Sequence, residues 1–442
     1  MTEFEKRRQA FTQSMGDGVA VFFGAPAAYR TNDLNWEYRQ DSDLYYLSGF
    51  EEPESVLVIA PGHATEKSVL FVRPRDRAKE TWNGYRCGPE RAAATYHVDA
   101  SYPIEELAKR LPEYLETSDT LYYAFGANDQ ANALITDELK RMSTARRRGD
   151  KGGMTVKNPA MILHEMRTIK TPYDIEGMER AVRISGEGHI AAMRYARSGM
   201  HEYEIEAIIE FIFLSRGAQF PSYPSIVASG ANATVLHYTT NRDRVPDNAL
   251  VLVDAGAEVD YYNGDITRTW PMSGRFSPEQ RAIYDIVLAA NEKAIGMCRP
   301  GVRYNTDVHD ETVKILVSGM IDLGILKGSL DENLTNENYK QFYMHRTGHY
   351  LGLDTHDVGF YKVEGQWREL VPGMVVTIEP GLYFASDADV DPRFRGIGVR
   401  IEDDILIRKD GCKNLSEEVP KSVAEIEAVI AEGRATREPL FA

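Results

Sequence analysis

Four carboxylate residues lie inside or at the end of strongly apolar, strand-like segments. They are Asp254 in LVLVDAG, Asp265 in DITRTW, Glu379 in VVTIEPG and Glu402 in GVRIEDDILI. One such residue could be a solvated strand end that begins a turn. Four are harder to explain that way, because an ionised carboxylate is costly to bury without a cation or a hydrogen-bond donor. Like charges brought together must share protons or metal ions, so the pattern indicates a site that does one or the other.

Two of these carboxylates are close enough in sequence to share a hairpin. Asp254 and Asp265 are eleven residues apart, and a turn centred near Val259-Asp260 would place them face to face. The dipeptide Asn263-Gly264 is the stronger two-residue turn signal, and a turn there would move Asp265 away from Asp254. A bulge or a longer loop would reconcile the two, and the sequence leaves the choice open.

Three of the ten histidines fall within one segment, HRTGHYLGLDTHDVG, as His345, His349 and His356. The spacing of the first two resembles a helical zinc site, but Arg346 stands where such a site has its glutamate, and two glycines argue against a helix. Carboxylates with one imidazole form an oxygen-rich site that favours Mn2+, with Fe2+, Co2+ or Zn2+ as competitors. Two divalent ions would balance four carboxylates and supply a bridging hydroxide at neutral pH.

Composition limits the partners. The 442 residues are 43% hydrophobic and 27% charged, as in a globular protein of two or three domains. The net charge of -16 argues against nucleic acid and anionic membranes, which Lys and Arg clusters bind. The N-terminal MTEFEKRRQAF has no apolar signal core, and no run of about 18 apolar residues occurs, so we expect a chain that neither is exported nor spans a membrane. Three widely spaced cysteines fit a reducing cytoplasm.

The elements that would position the carboxylates fall into two parts. Apolar runs at 18–24, 55–62, 67–74 and 120–126 alternate with helical patterns near 104–118 and 129–145, which predicts an α/β domain. The basic, glycine-rich segment 145–158 is the linker candidate. We therefore predict an N-terminal domain of residues 1–158 and a second domain of residues 159–442.

Helices and strands also alternate in the second part. Thr171 and Ser277 each begin a capping pattern with proline next, and a third helix is expected over 202–216. Asp254-Ala255-Gly256 and Glu379-Pro380-Gly381 each end one strand and are each followed by a second acidic strand. This is a weak internal repeat, which suggests two related halves facing one site.

The chemistry-bearing motifs resemble those of the pita-bread metallopeptidases, and within them the bacterial aminopeptidase P (Xaa-Pro aminopeptidase) family. The resemblance covers nearly the whole chain. It rests on LVDAG, GDITRT, HRTGHYLGLDTHDVG, IEPGLY and GVRIEDD, together with YRQDSDLYYLSGFEEPE, PSYPSIVASGANATVLHY and FRGIGVRIEDDI. It implies a creatinase-like N-terminal α/β domain and a C-terminal pita-bread domain with pseudo-two-fold halves.

The resemblance also implies roles for individual residues. The metal ligands would be Asp254, Asp265, His349, Glu379 and Glu402, with Glu402 bridging two divalent ions, most favourably Mn2+. His237 and His356 would face the substrate, and His345 would lie just outside the metal shell. Arg400 would hold a bridging carboxylate or Tyr383. Trp82 would help to cover the active site of a neighbouring subunit in a homo-oligomer, a dimer or a tetramer. Arg346 departs from the family pattern, where many relatives have glycine.

The implied reaction is hydrolysis of the N-terminal peptide bond in peptides with proline at position two. A metal-bridging hydroxide would attack the carbonyl, Glu379 would relay a proton, and His356 with the metals would stabilise the oxyanion. Two alternatives stay open. Prolidase has the same ligands but accepts only Xaa-Pro dipeptides, and a metal-free pita-bread binding module would have lost ligands.

Overall fold

The computed structural model describes residues 1–126, 128–145 and 153–436. The chain divides into two compact units, Met1–Met166 and Arg167–Ala442. Of the predicted linker, residues 146–152 lie outside the described residues, and Thr155–Lys157 forms a strand.

The first unit is built around one mixed sheet. Its helices are α1 (Glu3–Met15), α2 (Ser42–Ser48), α3 (Arg77–Asn83), α4 (Pro89–Tyr96), α5 (Leu107–Leu115) and α6 (Asp129–Ala145). Its strands are β1 (Val19–Phe23), β2 (Val56–Ile59), β3 (Ser68–Val72), β4 (Ala100–Pro103), β5 (Thr120–Tyr122) and β6 (Thr155–Lys157). The strand order is β4-β3-β2-β1-β5-β6, antiparallel at β3-β2-β1 and parallel elsewhere.

The apolar runs of the sequence explain this sheet. Each predicted strand contains an observed one, and the helix predicted over 129–145 is α6. Val21, Val58, Phe71 and Leu121 belong to one buried cluster, against which Leu111 of α5 packs. The α/β prediction for this unit is confirmed.

Helix α7 (Ala160–Thr168) contains the division between the units, just after the predicted boundary at 158. The second unit contains the helices α8 (Pro172–Tyr195), α9 (Glu202–Ser215), α10 (Pro278–Met297), α11 (His309–Asp322), α12 (Leu330–Thr335) and α13 (Val423–Thr436). Its first strands are β7 (Phe220–Pro221), β8 (Ile226–Ser229), β9 (Leu250–Ala255), β10 (Ala257–Val259), β11 (Tyr262–Asn263) and β12 (Ile266–Pro271). Its later strands are β13 (Lys362–Val363), β14 (Gln366–Trp367), β15 (Val375–Ile378), β16 (Gly381–Phe384), β17 (Ile397–Arg400), β18 (Asp403–Arg408) and β19 (Gly411–Asn414).

Capping boxes begin the long helices of this unit where the sequence predicts them. The Thr171 hydroxyl accepts from the N–H of Asp174 at the start of α8, and the Ser277 hydroxyl accepts from that of Gln280 at the start of α10. In both, proline occupies the first helical position, where its missing N–H costs nothing. These helices pack on the strands through one apolar core that includes Ile184, Val253, Tyr284 and Val399.

The strands of the second unit form two sets that carry the predicted ligands. One contains the sheets β12-β9-β8 and β11-β10-β7, and the other contains β15-β18-β19 and β16-β17, while β13 and β14 form a separate hairpin. Among the described residues, no helix is long and apolar enough to cross a membrane.

Candidate metal centre

One hairpin, from β9 to β12, carries the first two predicted ligands. Its turn consists of Asp260 and Tyr261, whose φ angles of 49° and 70° suit a tight two-residue turn. Glu258 pairs with Asn263 across this turn. The turn predicted near Val259-Asp260 is therefore displaced by one residue, and the alternative at Asn263-Gly264 is wrong because Asn263 is a buried strand residue.

The register of this hairpin places both aspartates on one face. Asp254 lies opposite Thr267 rather than Asp265, and Asp265 is two residues before Thr267, so its side chain points to the same side. The hydroxyl oxygen of Tyr223 lies 2.6 Å from Asp254 and 2.5 Å from Asp265. Burial and the charges of both aspartates raise the pKa of Tyr223 well above its usual value. Tyr223 therefore stays protonated, and its single proton can serve only one of the two carboxylates at a time.

A second strand pair carries the two glutamates. Ile378 pairs with Asp403, and Gly381 pairs with Arg400, so Glu379 and Glu402 lie opposite each other between these ladders. Their side chains therefore point to the same face. Glu402 also joins the first hairpin, because its N–H donates to the Thr267 carbonyl and its carboxylate accepts from the Thr267 hydroxyl at 2.7 Å.

His349 comes from a loop that lies along β15. Its backbone N–H donates to the Thr377 hydroxyl, and its carbonyl accepts from the Thr377 N–H. Gly348 permits this approach, since a Cβ there would overlap the Thr377 carbonyl and the Tyr304 hydroxyl. The Nδ1 of His349 lies 2.9 Å from the Tyr350 carbonyl, which can only accept. The Nε2 atom is thus directed towards the carboxylates, and once it has lost its proton it can bind a metal, as in a metal-ligating histidine.

The five predicted ligands meet in one cluster. In the described part of the chain, Asp265, His349 and Glu402 offer ligand atoms that all lie within 4.8 Å of one another. Glu379 Oε1 is 3.6 Å from the Nε2 of His349, and Asp254 shares the Tyr223 hydroxyl with Asp265. Four carboxylates and one imidazole are the hard, oxygen-rich donors that divalent ions prefer.

The electrostatics of the cluster fit a cation site. Burial raises the pKa of Glu379 to about 7, although the charges of His349 and Arg400 oppose the shift. Burial and the charges of Asp265, Glu379 and Asp254 raise the pKa of Glu402 well above its usual value. Burial lowers the pKa of His349, but its hydrogen bond to Asp265 and the nearby carboxylates raise it to about 9. Protons therefore neutralise the bare cluster, and divalent cations would replace them.

Arg400 ties the two strand pairs together behind the ligands. Its guanidinium donates to Asp254 at 2.6 Å, to the Thr267 hydroxyl at 3.1 Å and to the Tyr383 hydroxyl at 3.1 Å. Burial disfavours its charge, but Tyr383, Asp254 and Glu402 together raise its pKa well above the usual value. The sequence predicted contact with a bridging carboxylate or with Tyr383, and the structure brings Arg400 to Tyr383 and to Asp254.

His345 lies beside the cluster and is held in one tautomer. Its Nδ1 is 2.8 Å from the carbonyl of Arg346, so that nitrogen carries the proton, and its Nε2 accepts from the Tyr383 hydroxyl at 2.8 Å. Burial and the charge of Arg400 lower the pKa of His345 to about 4. Its Nδ1 is 3.8 Å from Glu379. His345 is therefore neutral and supports Tyr383.

His356 and His237 are exposed and lie near enough to the cluster to interact with its charges, and the solvent-facing side next to them is called the open side below. The ring of His356 is exposed and packs edge-on against His349, with 4.3 Å between centroids. Burial and the charge of His349 lower the pKa of His356. The next residue, Asp357, is buried and pairs with Lys170 at 2.8 Å and Arg167 at 2.6 Å, which anchors this part of the loop. His237 is exposed, and its charge helps to lower the pKa of both His345 and His356.

The sequence interpretation missed three residues of the site. Tyr223, Thr267 and Asp404 each contact a predicted ligand. Asp404 accepts the N–H of Asp265 at 3.0 Å, and within the described residues its Oδ1 has no hydrogen-bond partner. Strand alternation in GVRIEDDILI could have placed Asp404 on the face of Glu402, whereas Tyr223 falls within the family motif PSYPSIVASGANATVLHY but was given no role. Trp82, the remaining predicted residue, lies on α3 of the first unit and is 87% exposed.

The sequence matches two family models, one for each part of the chain. The family model for metallopeptidase family M24 matches residues 176–409, which include all five clustered ligands, and the model for the aminopeptidase P N-terminal domain matches residues 4–124. The chain belongs to metallopeptidase family M24.

Relatives of this M24 enzyme match along almost its whole length. The Xaa-Pro aminopeptidase of Escherichia coli K12 is 43% identical over 434 residues, which cover 98% of each chain. The structure of Pseudomonas aeruginosa aminopeptidase PepP matches with a TM-score of 0.96 at 44% identity, covering 98% of each chain. Zinc-substituted E. coli aminopeptidase P in complex with product matches with a TM-score of 0.95 at 43% identity, again over 98% of each chain.

These matches decide several of the sequence predictions. The resemblance to bacterial aminopeptidase P and the fold class, an N-terminal α/β domain followed by a pita-bread domain, are confirmed. The M24 enzyme is a metallo-aminopeptidase, a hydrolase that uses a divalent metal, and the metal-free binding module is disfavoured.

Proposed function

We propose that this M24 enzyme removes the N-terminal residue from peptides whose second residue is proline, using two divalent ions, most favourably Mn2+. The observation that carries the proposal is the convergence of Asp254, Asp265, His349, Glu379 and Glu402 from two strand pairs and one loop. The names of the relatives, which are Xaa-Pro aminopeptidases, support the substrate class.

The ligands would divide between two ions. Asp254, Asp265, His349, Glu379 and Glu402 would together hold the two ions. Such a pair supplies a hydroxide nucleophile at neutral pH and polarises the scissile carbonyl. Tyr223, Thr267 and Arg400 would orient the ligands through the hydrogen bonds described above.

Glu379 would move the proton that the reaction requires. Its carboxylate lies in the cluster, with Oε1 3.6 Å from the Nε2 of His349, where it would accept a proton from the nucleophile and release it again. The bond before proline is a tertiary amide, and its nitrogen must be protonated as it leaves. Protonated Glu379 would supply that proton.

The histidines of the open side would hold the substrate. His356 packs edge-on against His349 and would donate to the carbonyl oxygen as negative charge develops there. His237 would also contact the substrate, at a different point from His356. The free amine of the substrate would bind at the acidic cluster, which explains restriction to the first residue.

A comparison of metal-stripped and Mn2+-loaded protein on Ala-Pro-Ala, Ala-Pro and Ala-Ala-Ala tests the proposal. We expect the Mn2+-loaded protein to cleave Ala-Pro-Ala and the stripped protein to be inactive on all three peptides. Cleavage of Ala-Pro alone would mean that the chain is a prolidase. Cleavage of Ala-Ala-Ala as fast as Ala-Pro-Ala would reject proline specificity, and failure to cleave any peptide would reject the proposal.

The same assay identifies the preferred metal. Stripped protein is reloaded separately with Mn2+, Co2+, Fe2+ and Zn2+, and the metal content per chain is measured alongside the rate. We expect about two ions per chain and the highest rate with Mn2+.

We further propose a homo-oligomeric, cytoplasmic enzyme in which Trp82 of one subunit helps to cover a neighbouring active site.

A further inference from the structure

Glu202, the first residue of α9, holds a carboxylate that the metal chemistry does not use. Its side chain is fully buried, with 0% of the residue exposed. The donors to its two oxygens are the Ser229 N–H at 2.9 Å, the Ser229 hydroxyl at 2.7 Å, the Asn232 amide at 3.0 Å, the Tyr238 hydroxyl at 2.8 Å and the Asp243 N–H at 3.0 Å. A buried carboxylate with this many donors organises the segments that provide them.

Those donors lie on both sides of His237 in the chain. Ser229 ends β8 and Asn232 lies in the following 3-10 helix, before His237, whereas Tyr238 and Asp243 come after it. Asn241 adds a second attachment. It adopts a left-handed conformation with φ of 48°, and its amide side chain bonds the Val227 N–H and the Ser225 carbonyl.

His237 itself has no comparable anchor. In the part of the chain that the structure describes, its side chain makes no hydrogen bond and it is exposed on the open side of the metal cluster. The position of its ring is therefore set by its backbone, which Glu202 holds through the next residue, Tyr238.

The contacts require a carboxylate rather than an amide at position 202. Two of the donors are backbone N–H groups, at Ser229 and Asp243, and neither can rotate to accept. Glutamine would turn its NH2 group towards one of these two, whichever way the amide was placed. Burial and the bond to Glu202 raise the pKa of Tyr238 to about 12, so this hydroxyl stays a neutral donor.

We propose that Glu202 is a positioning residue for substrate binding, which acts by fixing the backbone on both sides of His237. This inference rests on the proposed function, in which His237 contacts an Xaa-Pro peptide. Among the described residues, Glu202 has no hydrogen bond to a metal ligand, so its effect on catalysis would pass through His237.

The test is a double-mutant cycle with Mn2+-loaded protein and Ala-Pro-Ala, using Glu202→Gln, His237→Ala and the combined variant. We expect Glu202→Gln to lower kcat/KM by about 10 to 100-fold, the loss that follows from a small displacement of a substrate-contacting group. In the His237→Ala background the same change should cost less than about 2-fold. The division of the loss between kcat and KM should match that of His237→Ala.

Glu204→Gln is the matched control, since Glu204 lies in the same first turn of α9 but is only half-buried, and its carboxylate contacts the N–H and the ring of His201 alone among the described residues. The Glu204→Gln variant should keep kcat/KM within about 2-fold of the value for the parent protein. If Glu202→Gln does not fold, Tyr238→Phe removes one bond to Glu202 and should show the same dependence on His237. Equal losses with and without His237 would overturn the positioning role. Full activity of His237→Ala would instead reject the part of the proposed function on which the inference rests.

Discussion

Glu379 and Glu402 occupy opposite positions of one antiparallel strand pair, at the point where its ladder is interrupted. The register is the same on both sides, from Ile378 with Asp403 to Gly381 with Arg400. At the interruption the backbone N–H groups bond elsewhere, that of Glu379 to the Thr347 carbonyl and that of Glu402 to the Thr267 carbonyl. Strand pairing thus brings the two carboxylates together. Where the ladder is interrupted, their backbone N–H groups are free to bond the loop that carries His349 and the first hairpin.

The first hairpin repeats this arrangement. Its register continues across an interruption at Gly256 and Asp265, and the Asp265 N–H bonds the Asp404 side chain instead of the opposite strand. The weak repeat in the sequence therefore corresponds to two strand pairs, each broken where it carries a ligand.

Substitution of the metal ligand His349 should have a larger effect on activity than substitution of His345, which lies nearby in the sequence. We expect His349→Ala to abolish turnover and to lower the bound metal, a larger effect than the roughly 10 to 100-fold typical of groups that only support a ligand. His345→Ala removes the partner of Tyr383 and should fall within that smaller range. The measurements are kcat/KM and metal content per chain. Equal losses in both variants would mean that the ligand is wrongly assigned.

Arg400→Lys should weaken metal binding although the charge is kept. Arginine reaches Asp254, Thr267 and Tyr383 at once through separate N–H groups, and a lysine ammonium cannot reproduce that geometry. We expect a loss of about 10 to 100-fold in Mn2+ affinity, measured by competition with a chelator. The exposed Arg393→Lys is the control and should leave the affinity unchanged. The same affinity for both variants would contradict the role of Arg400.

Gly348→Ala should destabilise the fold around His349. The new Cβ would overlap the Thr377 carbonyl and the Tyr304 hydroxyl, both of which are buried. Overpacking of this kind lowers the free energy of unfolding by about 1 to 3 kcal/mol, measured by denaturant titration. Gly296→Ala, in α10, should instead raise it by about 0.5 to 1 kcal/mol, since no described atom outside the local helix backbone would lie within 4 Å of the new Cβ. Wild-type stability of Gly348→Ala would show that the loop can move away from β15.

The metal-free protein should lose stability as the pH rises. The folded pKa of Glu379, about 7, lies above its usual value of 4.5, and that of His349, about 9, lies above 6.5. Each group binds its proton more tightly in the folded state. The stability that each group contributes is complete at pH values below its usual pKa. It is lost as the pH rises through the pKa of the folded state. The stability of the metal-free protein should therefore decline from about pH 4.5 to about pH 9.

Denaturant midpoints in a chelator, measured across that range, test this prediction. Glu379→Gln should flatten the part of the decline between about pH 4.5 and 7, whereas the exposed Glu418→Gln should not. Added Mn2+ should stabilise the protein more at higher pH, because the cations replace the protons. An identical slope for the parent and for Glu379→Gln would contradict the assignment of this titration.

Tyr223 shows where sequence reasoning reached its limit. Carboxylates in apolar strands can be read from the chain, since burial of a charge is costly wherever the strand lies. Tyr223, whose hydroxyl contacts both aspartates, lies 31 residues from Asp254 and 42 from Asp265, and although it falls within a family motif, no apolar or charge pattern marks it as their partner. Thr267 contacts Glu402 across 135 residues and was likewise assigned no role, whereas the family motif predicted the part of Arg400, and the fold chose Asp254, 146 residues away, as its carboxylate.

The sequence by itself determined the apolar strands with their acidic residues, the helix starts at Thr171 and Ser277, and the motifs of the family. These depend on periodicity and on capping, which act over a few residues. Only the tertiary structure decided the hairpin register, in which a turn at Asp260 and Tyr261 replaced the locally stronger Asn263-Gly264. A change in register moves buried side chains away from the core, so burial of the whole strand outweighs the preference of one dipeptide.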